Sequence, residues 1–250
     1  MRRIALPVLF LTLAAALPAQ TYEDAMAAYK RGQVFSAAQA LKTLAEQGDA
    51  KAQYTLATLY SIGKGVLQDD AEAARWYRKA AEQNDVNAEF TLGNLYSQGK
   101  GVPQDKVEAR RWYRKAAEEG HVEAEFDLGV MCENGEGAQP DKAEAARLYT
   151  EAAERGYLKA QLNLGVLYLK GEGVPQDKTK GVRWCRRAAA AGLSDAQFTL
   201  GLLYESGNGV SQDKAEAQRW YRMAAKQGNQ RALDALGRLS GQPTPGVPKP

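Results

Sequence analysis

The chain has 250 residues, with 33 basic and 30 acidic side chains, 44% hydrophobic residues and two cysteines. This length allows one large domain or two smaller ones. Because the two signs of charge are nearly balanced and interleaved along the chain, the composition argues against nucleic acid or an anionic lipid surface as the partner.

Residues 1–20 have the pattern of a secretory signal peptide. Two arginines precede the apolar run Ile4–Leu17, and small residues follow it. The run is shorter than the roughly 20 apolar residues that a membrane-spanning helix needs. We therefore expect cleavage near Ala19 or Gln20, and a periplasmic or secreted mature protein with no membrane insertion after cleavage. A buried first helix is the alternative, and the two prolines that bracket the run disfavour it.

Residues 21–48 predict an N-terminal capping pair of helices. Ala25 and Tyr29 lie at helical spacing, Gly32 ends the first helix, and residues 35–47 give the second. The link between the two is short. We expect this hairpin to cap the array that follows it.

Residues 49–240 form a repeat array with a period of 36 residues, which we take as the main sequence signal. Five steps occur without insertion or deletion, and each unit is marked by an alanine: Ala52, Ala88, Ala124, Ala160, Ala196 and Ala232. Such a period indicates an all-α solenoid of stacked helical hairpins, in which each unit contacts its neighbours. Asn229–Ser240 predicts a terminal capping helix, and the Pro-rich tail 241–250 is expected to be disordered.

Each unit predicts a first and a second helix. In the second unit the first helix covers Ala88 to Tyr96 and stops at Gly99, a residue type that closes helix ends. Gly93 in its middle is costly, so we expect the neighbouring helix to approach closely there. The second helix begins at Asp105, which is followed three residues later by a glutamate, the spacing of a capping box. These acids are therefore interpreted as structural, not catalytic.

The repeated phrases resemble a known family. The unit Ala-x-aromatic-x-Leu-Gly-x-Leu-Tyr-x-x-Gly-x-Gly-Val-x-x-Asp, followed by Ala-x-x-Trp-Tyr-x-x-Ala-Ala-x-x-Gly, resembles the Sel-1-like repeat, a relative of the tetratricopeptide repeat. The resemblance covers residues 50–240. It implies a right-handed α-α superhelix and an adaptor that assembles protein complexes. Some cysteine-rich secreted members carry a β-lactamase or penicillin-binding label, but their cysteines are paired within units and this chain departs from that pattern.

No catalytic, metal or cofactor site is predicted. The single histidine, His121, lies in a turn between units and is interpreted as a surface residue. Cys132 and Cys185 each occupy a slot that other units fill with a tyrosine, so we expect two small buried hydrophobes. Export would also permit a disulfide between them.

A candidate binding face follows from the positions that vary between first helices. They lie at offsets i, i+3 and i+7, on one side of each helix. We call these fifteen positions the row face: Thr55, Thr58, Ile62, Thr91, Asn94, Gln98, Asp127, Val130, Asn134, Asn163, Val166, Lys170, Thr199, Leu202 and Ser206. The candidate partner-binding residues among them are Thr55, Thr91, Asn94, Gln98, Asp127, Asn134, Asn163, Lys170, Thr199 and Leu202.

We expect the row face to line the concave side of the superhelix and to bind a peptide or protein segment. The other interpretation is that these are ordinary solvated helix positions. Replacing Asn94, Asn134 and Asn163 together by Ala is expected to abolish partner capture without unfolding the array. The leading prediction is thus a non-catalytic scaffold in the cell envelope. The alternative is a β-lactamase-like or peptidoglycan-fragment-binding envelope protein.

Overall fold

The computed structural model describes residues 21–240, so the predicted signal peptide and the Pro-rich tail lie outside the described residues. The described part consists of α-helices and contains no strand, which confirms the prediction of an all-α chain. The helices are α1 (Tyr22–Lys30), α2 (Val34–Glu46), α3 (Ala50–Ile62), α4 (Asp70–Ala81), α5 (Val86–Gln98), α6 (Lys106–Glu118), α7 (Val122–Asn134), α8 (Lys142–Glu154), α9 (Leu158–Lys170), α10 (Lys178–Ala190), α11 (Ser194–Ser206), α12 (Lys214–Lys226) and α13 (Gln230–Ser240). They fall into two compact units that divide between Ala80 and Ala81.

The first unit begins with the hairpin of α1 and α2. Thr21 caps α1, because its hydroxyl accepts from the amide of Asp24 while the Asp24 carboxylate accepts from the amide of Thr21. Helix α2 packs against both α1 and α3. Past the end of α3, Gly65 has a φ of +77° and lies so close to α2 that a Cβ would stand 2.8 Å from the carbonyl oxygen of Val34. Only glycine fits this backbone and this contact.

The second compact unit, which begins at Ala81, contains several 36-residue repeats. It alternates first helices (α5, α7, α9, α11) with second helices (α6, α8, α10, α12) and ends in α13. Each helix packs against the next one along the chain. Equivalent positions have equivalent burial: Ala88 and Leu92 on α5 are fully buried, and so is Ala109 on α6. The 36-residue period therefore repeats one packing site, which is the structural basis of a solenoid.

The glycine in the middle of each first helix is where the helices of a hairpin meet. A Cβ on Gly93 would lie 2.6 Å from the ring of Tyr113 on α6. This confirms the predicted close approach, since the space of a side chain at Gly93 is filled by the tyrosine ring. The same contact recurs between Gly129 and Tyr149 and between Gly201 and Tyr221.

The hairpin of α9 and α10 closes in a different way. Here Cys185 replaces the tyrosine, and a Cβ on Gly165 would lie 2.6 Å from its sulfur and 2.9 Å from the carbonyl oxygen of Gly181. Glycines thus face each other on both helices of this pair. The smaller residues allow backbone-to-backbone approach in place of contact through a ring.

The second helices have a simpler cap than predicted. Asp105 accepts from the amide of Glu108 at 3.0 Å, as a capping residue should. The second bond of a capping box, from the cap amide to the glutamate, was predicted wrongly. The Glu108 carboxylate pairs with Arg111 at 3.4 Å instead. The amide that Glu108 would have accepted from, that of Asp105, donates to the carbonyl of Tyr96. The last turn of the first helix has already satisfied that donor.

The terminal helix α13 begins one residue later than predicted, after Asn229, whose side-chain oxygen accepts from the amide of Ala232. Ala232 and Ala235 are its buried residues. Leu233 is 46% exposed, in keeping with a helix that has no second helix after it among the described residues.

Candidate functional site

The row face lies outside the packed core, as predicted. None of its fifteen side chains is buried. In contrast, the marker alanines and the recurring leucines on the same helices are buried. In the second compact unit, the exposure of the row-face side chains increases along each first helix. The two earlier positions are half-buried, whereas the last position is exposed in every first helix: Gln98, Asn134, Lys170 and Ser206.

Several of the polar candidates have partners within the fold. Thr91 and Thr199 donate back to the helix carbonyls of Asn87 and Asp195. In the first unit, Thr55 shares a hydrogen bond of 3.0 Å with the hydroxyl of Tyr22. Such back-bonded hydroxyls are largely satisfied locally, so they offer a ligand less than their position suggests.

Asn94, Thr58, Glu133 and Glu205 each form a hydrogen bond with the hydroxyl of a buried tyrosine. The hydroxyl of Tyr113 on α6 donates to Oδ1 of Asn94 at 2.8 Å. In the next hairpin the hydroxyl of Tyr149 donates instead to Glu133 at 2.8 Å, and the nearby amide of Asn163 opposes the rise that burial causes in the pKa of this phenol. The same role falls to Thr58 for Tyr77 in the first unit and to Glu205 for Tyr221. Each of these four buried phenols thus has a polar partner, either at the middle position of the row face or three residues after it.

The acceptor position follows a rule that the sequence analysis missed. Where the middle row position is apolar, as at Val130 and Leu202, a glutamate stands three residues later and takes the tyrosine hydroxyl. Where Cys185 removes the hydroxyl altogether, both positions are apolar, namely Val166 and Leu169. The middle row position and the position three residues later thus change together with the tyrosine. This joint variation in the sequence could have predicted the hydrogen bond to the tyrosine hydroxyl.

The structure revises the expected effect of the triple asparagine replacement. Removing Asn94 takes the acceptor from the Tyr113 hydroxyl, and removing Asn163 takes a donor from beside the Tyr149 hydroxyl, so the change reaches the core as well as the face. Asn134 is exposed and has no such role. Loss of partner capture in that variant would not separate binding from stability.

Three candidates remain free for a ligand: Gln98, Asn134 and Lys170. They are exposed and make no side-chain hydrogen bond to another described residue. They occupy the same position at the end of α5, α7 and α9, each just before the glycine that closes the helix. They form a polar column at one edge of the row face.

Asp127 is the titratable candidate. It is half-buried on α7, and burial raises the pKa of its carboxyl to about 6, with the charge of Lys159 opposing the rise and that of Glu123 adding to it. Because burial disfavours the charged form of this carboxyl, a hydrogen-bond donor or a cation from a ligand would stabilise the carboxylate.

A buried polar column lies one residue after the marker alanine of each unit. Gln161 donates its amide to the carbonyl of Ala153 at 3.1 Å, at the end of the preceding second helix. Glu125 fills the equivalent slot and is 2% exposed. One of its oxygens lies 3.2 Å from Arg155, and the other is buried without a hydrogen-bond partner. Burial raises the pKa of Glu125, and Arg155 opposes the rise.

Grooves also occur on the side of the second helices. One of about 440 Å³ is lined by Glu118, Arg147, Glu151, Glu154 and Arg155 with neighbouring residues. Its arginines are already paired, since Arg147 contacts Glu151 at 2.7 Å and Arg155 contacts Glu125. None of the ten candidate residues lines this groove.

His121 is not the free surface residue that was predicted. Its Nδ1 accepts from the amide of Ala124, so it caps α7, and its ring stacks on Phe90 with centroids 4.3 Å apart. Burial lowers its pKa, with Glu123 opposing. The sequence placed it in the turn correctly, but the turn folds against the preceding first helix.

The two cysteines are buried free thiols, as expected, and no disulfide joins them. Burial raises the pKa of Cys132, and it raises that of Cys185 to about 12. Within residues 21–240 no group of three or more His, Cys, Asp or Glu could hold a metal ion. Nor does any helix in that range have the length and apolar character to cross a membrane.

Stacked helical hairpins with a graded polar face define the described part as a solenoid repeat protein, a class that works by presenting extended surfaces. The family model of the Sel1 repeat matches residues 50–85, 86–121, 122–157, 158–193 and 194–229. The chain belongs to the Sel1 repeat family. Proteins of this family are generally scaffolds for protein–protein interaction and are generally not enzymes.

Two solved structures resemble the chain closely. A Sel1 repeat protein from Oxalobacter formigenes is 35% identical with a TM-score of 0.80, and the match covers 92% of each chain. A protective antigen present in uropathogenic Escherichia coli strains is 36% identical with a TM-score of 0.82 over 92% of this chain. This chain spans 50% of that antigen's length. Among curated protein sequences, none matches the chain.

Proposed function

We propose that this protein is an exported, non-catalytic scaffold of the cell envelope that binds a peptide or protein segment on its row face. The observation that carries the proposal is the free polar column of Gln98, Asn134 and Lys170. These side chains are exposed and make no hydrogen bond or ion pair with another described residue. An extended segment that crosses the helices would meet them one after another.

The chemistry of the column suits a polypeptide ligand. The amides of Gln98 and Asn134 both donate and accept, so each can pair with a peptide group of an extended chain. Lys170 adds one positive charge, while half-buried Val130 and Leu202 supply apolar contact next to the column. A few fixed polar groups beside apolar patches give both orientation and affinity.

The envelope location is supported by the sequence of residues 1–20, which combines arginines, an apolar run and small residues before the first helix. The similar E. coli protein is described as a protective antigen, which is compatible with a location outside the cytoplasm. Export would place the row face among envelope proteins.

The test is a triple variant in which Gln98, Asn134 and Lys170 are replaced by Ala. These side chains make no bond to the fold, so the far-UV circular dichroism and melting temperature should match those of the parent. Mature parent and variant would be used for affinity capture from an envelope extract. A captured protein would then be titrated as a purified partner, and we expect its affinity to fall by about tenfold or more in the variant.

The matched control replaces three exposed residues that share one position of the second helices: Glu118, Glu154 and Lys226. This control should keep the partner with an affinity within about twofold of the parent, as expected for surface residues outside a contact. If the control loses the partner and the row-face variant keeps it, the binding face has been placed on the wrong helices.

A further inference from the structure

The second helices carry a recurring ion pair on the side away from the core. We call this side, marked by the glutamate and arginine positions of the pair, the outer face. In four of the five units, a glutamate three residues after the aspartate cap pairs with an arginine three residues further on. The shortest of these pairs joins Glu72 to Arg75 at 2.6 Å. The others are Glu108 with Arg111, Glu144 with Arg147 and Glu216 with Arg219.

The fourth unit lacks this carboxylate. Lys180 on α10 stands where the glutamate stands elsewhere, and its ammonium lies 2.6 Å from the hydroxyl of Tyr168. The arginine is still present as Arg183, which is exposed and makes no ion pair or hydrogen bond among the residues that the structure describes. One half of a repeated pair has thus been removed and the other half retained.

Further positive charge surrounds Arg183. Helix α10 has five basic residues and no acidic one. Arg187 lies over the ring of Trp184 at 5.5 Å, and Arg186 donates to the hydroxyl of Tyr204 at 2.9 Å. These aromatic contacts hold the two guanidinium groups on α10 without neutralising them.

The helices around α10 do not supply the missing carboxylate. On α11, which packs against α10, Glu205 pairs with Arg238 and Asp195 accepts from Asn229. On α8, Glu144 and Glu151 both pair with Arg147. On α12, Glu216 pairs with Arg219. Among the acidic residues of α8 and α12, only Glu154, in the last turn of α8, makes no ion pair with another described residue. The charge on the outer face of α10 is therefore left for a group from outside this chain.

We propose that the outer face of α10 is a second interaction surface, which binds a carboxylate-bearing acidic segment of a partner protein at Arg183. The ligand is assigned as a carboxylate because a carboxylate fills the corresponding place in the other four units. Arginine binds carboxylates through two parallel hydrogen bonds, so a side chain of Asp or Glu would restore the pair. Arg186, Arg187 and Lys178 would attract the rest of an acidic segment. This surface is formed by a second helix, so it does not depend on the row face.

The experiment measures fluorescence anisotropy of a short labelled peptide of alternating glutamate and serine, titrated with the mature protein at low and at physiological ionic strength. The informative variant is Lys180→Glu, which gives α10 the same Glu–Arg pair as the other units. We expect the dissociation constant to rise by about tenfold or more. The matched control is Lys214→Glu, which makes the same change of charge on the exposed first residue of α12. It should stay within about twofold of the parent.

Three results would overturn the proposal: no binding of the acidic peptide to the parent, equal loss in both variants, or retained binding in Lys180→Glu with unchanged circular dichroism. A parallel titration uses a single-stranded oligonucleotide and anionic phosphatidylglycerol vesicles. If either of these binds in a way that depends on Lys180→Glu while the peptide does not, the surface recognises phosphate and the assignment to a carboxylate is wrong.

Discussion

Replacing Glu125 by Gln should stabilise this protein at neutral pH. In the next two units the same slot holds a glutamine, whose amide donates to the last-turn carbonyl of Ala153 or Ala189. Glu125 has no proton with which to make this bond when it is charged, and one of its oxygens is buried without a partner. The variant supplies the missing donor to the same kind of carbonyl, that of Ala117.

The size of the effect follows from three contributions. A net hydrogen bond contributes about 0.5–1.5 kcal/mol, and the buried unpaired oxygen costs about 1–3 kcal/mol while it remains. Against this, the variant loses the charge of the pair with Arg155, which is 47% exposed and therefore worth only about 0.2–1 kcal/mol. Arg155 keeps its bond to the carbonyl of Gly120 at 2.7 Å. We expect a net gain of about 1–2 kcal/mol.

The pH dependence gives a second, independent check. Burial raises the pKa of Glu125 above its ordinary value of 4.5, so the folded state binds this proton more tightly than the unfolded state does. The contribution of this group to stability is then fully present below pH 4.5 and is lost as the pH rises through the raised value. A glutamine does not titrate. The advantage of the variant should be small near pH 4 and fully developed at about pH 7.

The assay is urea unfolding followed by circular dichroism, with midpoints compared at the two pH values. The mirror variant Gln161→Glu serves as a control, because it places a carboxylate in the same slot where Ala191 stands in place of the arginine. It should destabilise the protein by about 2 kcal/mol or more near neutral pH. A Glu125→Gln variant that is less stable than the parent at pH 7 would mean that the Arg155 pair outweighs the buried oxygen, and the reasoning would be refuted.

Three further predictions concern the tyrosine acceptor, the thiols and export. Asn94→Ala should lower the free energy of unfolding by about 1–2 kcal/mol, because the Tyr113 hydroxyl loses its acceptor, and unchanged urea unfolding would contradict this. Cys132 and Cys185 should react with a thiol reagent at rates below those of an exposed thiol until urea unfolds the chain, because the thiolate is the reactive form and burial suppresses it; rapid labelling of the native protein would show that they are accessible. N-terminal sequencing of the protein from a periplasmic fraction should begin just after Ala19 or Gln20, and an intact leader there would disprove cleavage.

The repeat made the helices and the core predictable. A fixed interval of 36 residues aligns Ala88, Leu92 and Gly93 with their counterparts, so a position that is small or apolar in every unit must face the packing between helices. The same reasoning placed the row face outside the core. It also predicted the contact at Gly93, because glycine is unfavourable in a helix unless a neighbour occupies the space of its side chain.

Contacts between different columns of the repeat were harder to predict. Asn94 binds the hydroxyl of Tyr113, which reaches it from the other helix of the hairpin. Helical spacing shows which residues share a face, but it does not show which row position that hydroxyl reaches. The capping box failed for a similar reason. Glu108 has the right spacing for a local bond, but the first helix supplies an acceptor for the cap amide, and Arg111 is a stronger partner for the carboxylate.

The glycine loops have a consequence for how such proteins change in length. Gly65, Gly137, Gly173 and Gly209 each lie against the first residue of the preceding second helix, and a Cβ would stand 2.8 Å or less from its carbonyl oxygen. These four junctions are thus made by the same contact to a backbone carbonyl. Unequal recombination between such segments would insert or delete 36 residues and leave an intact junction on both sides. A recurring backbone contact at the junctions is the feature that would let copy number vary within the family, and this chain spans 50% of the length of one relative of the same fold.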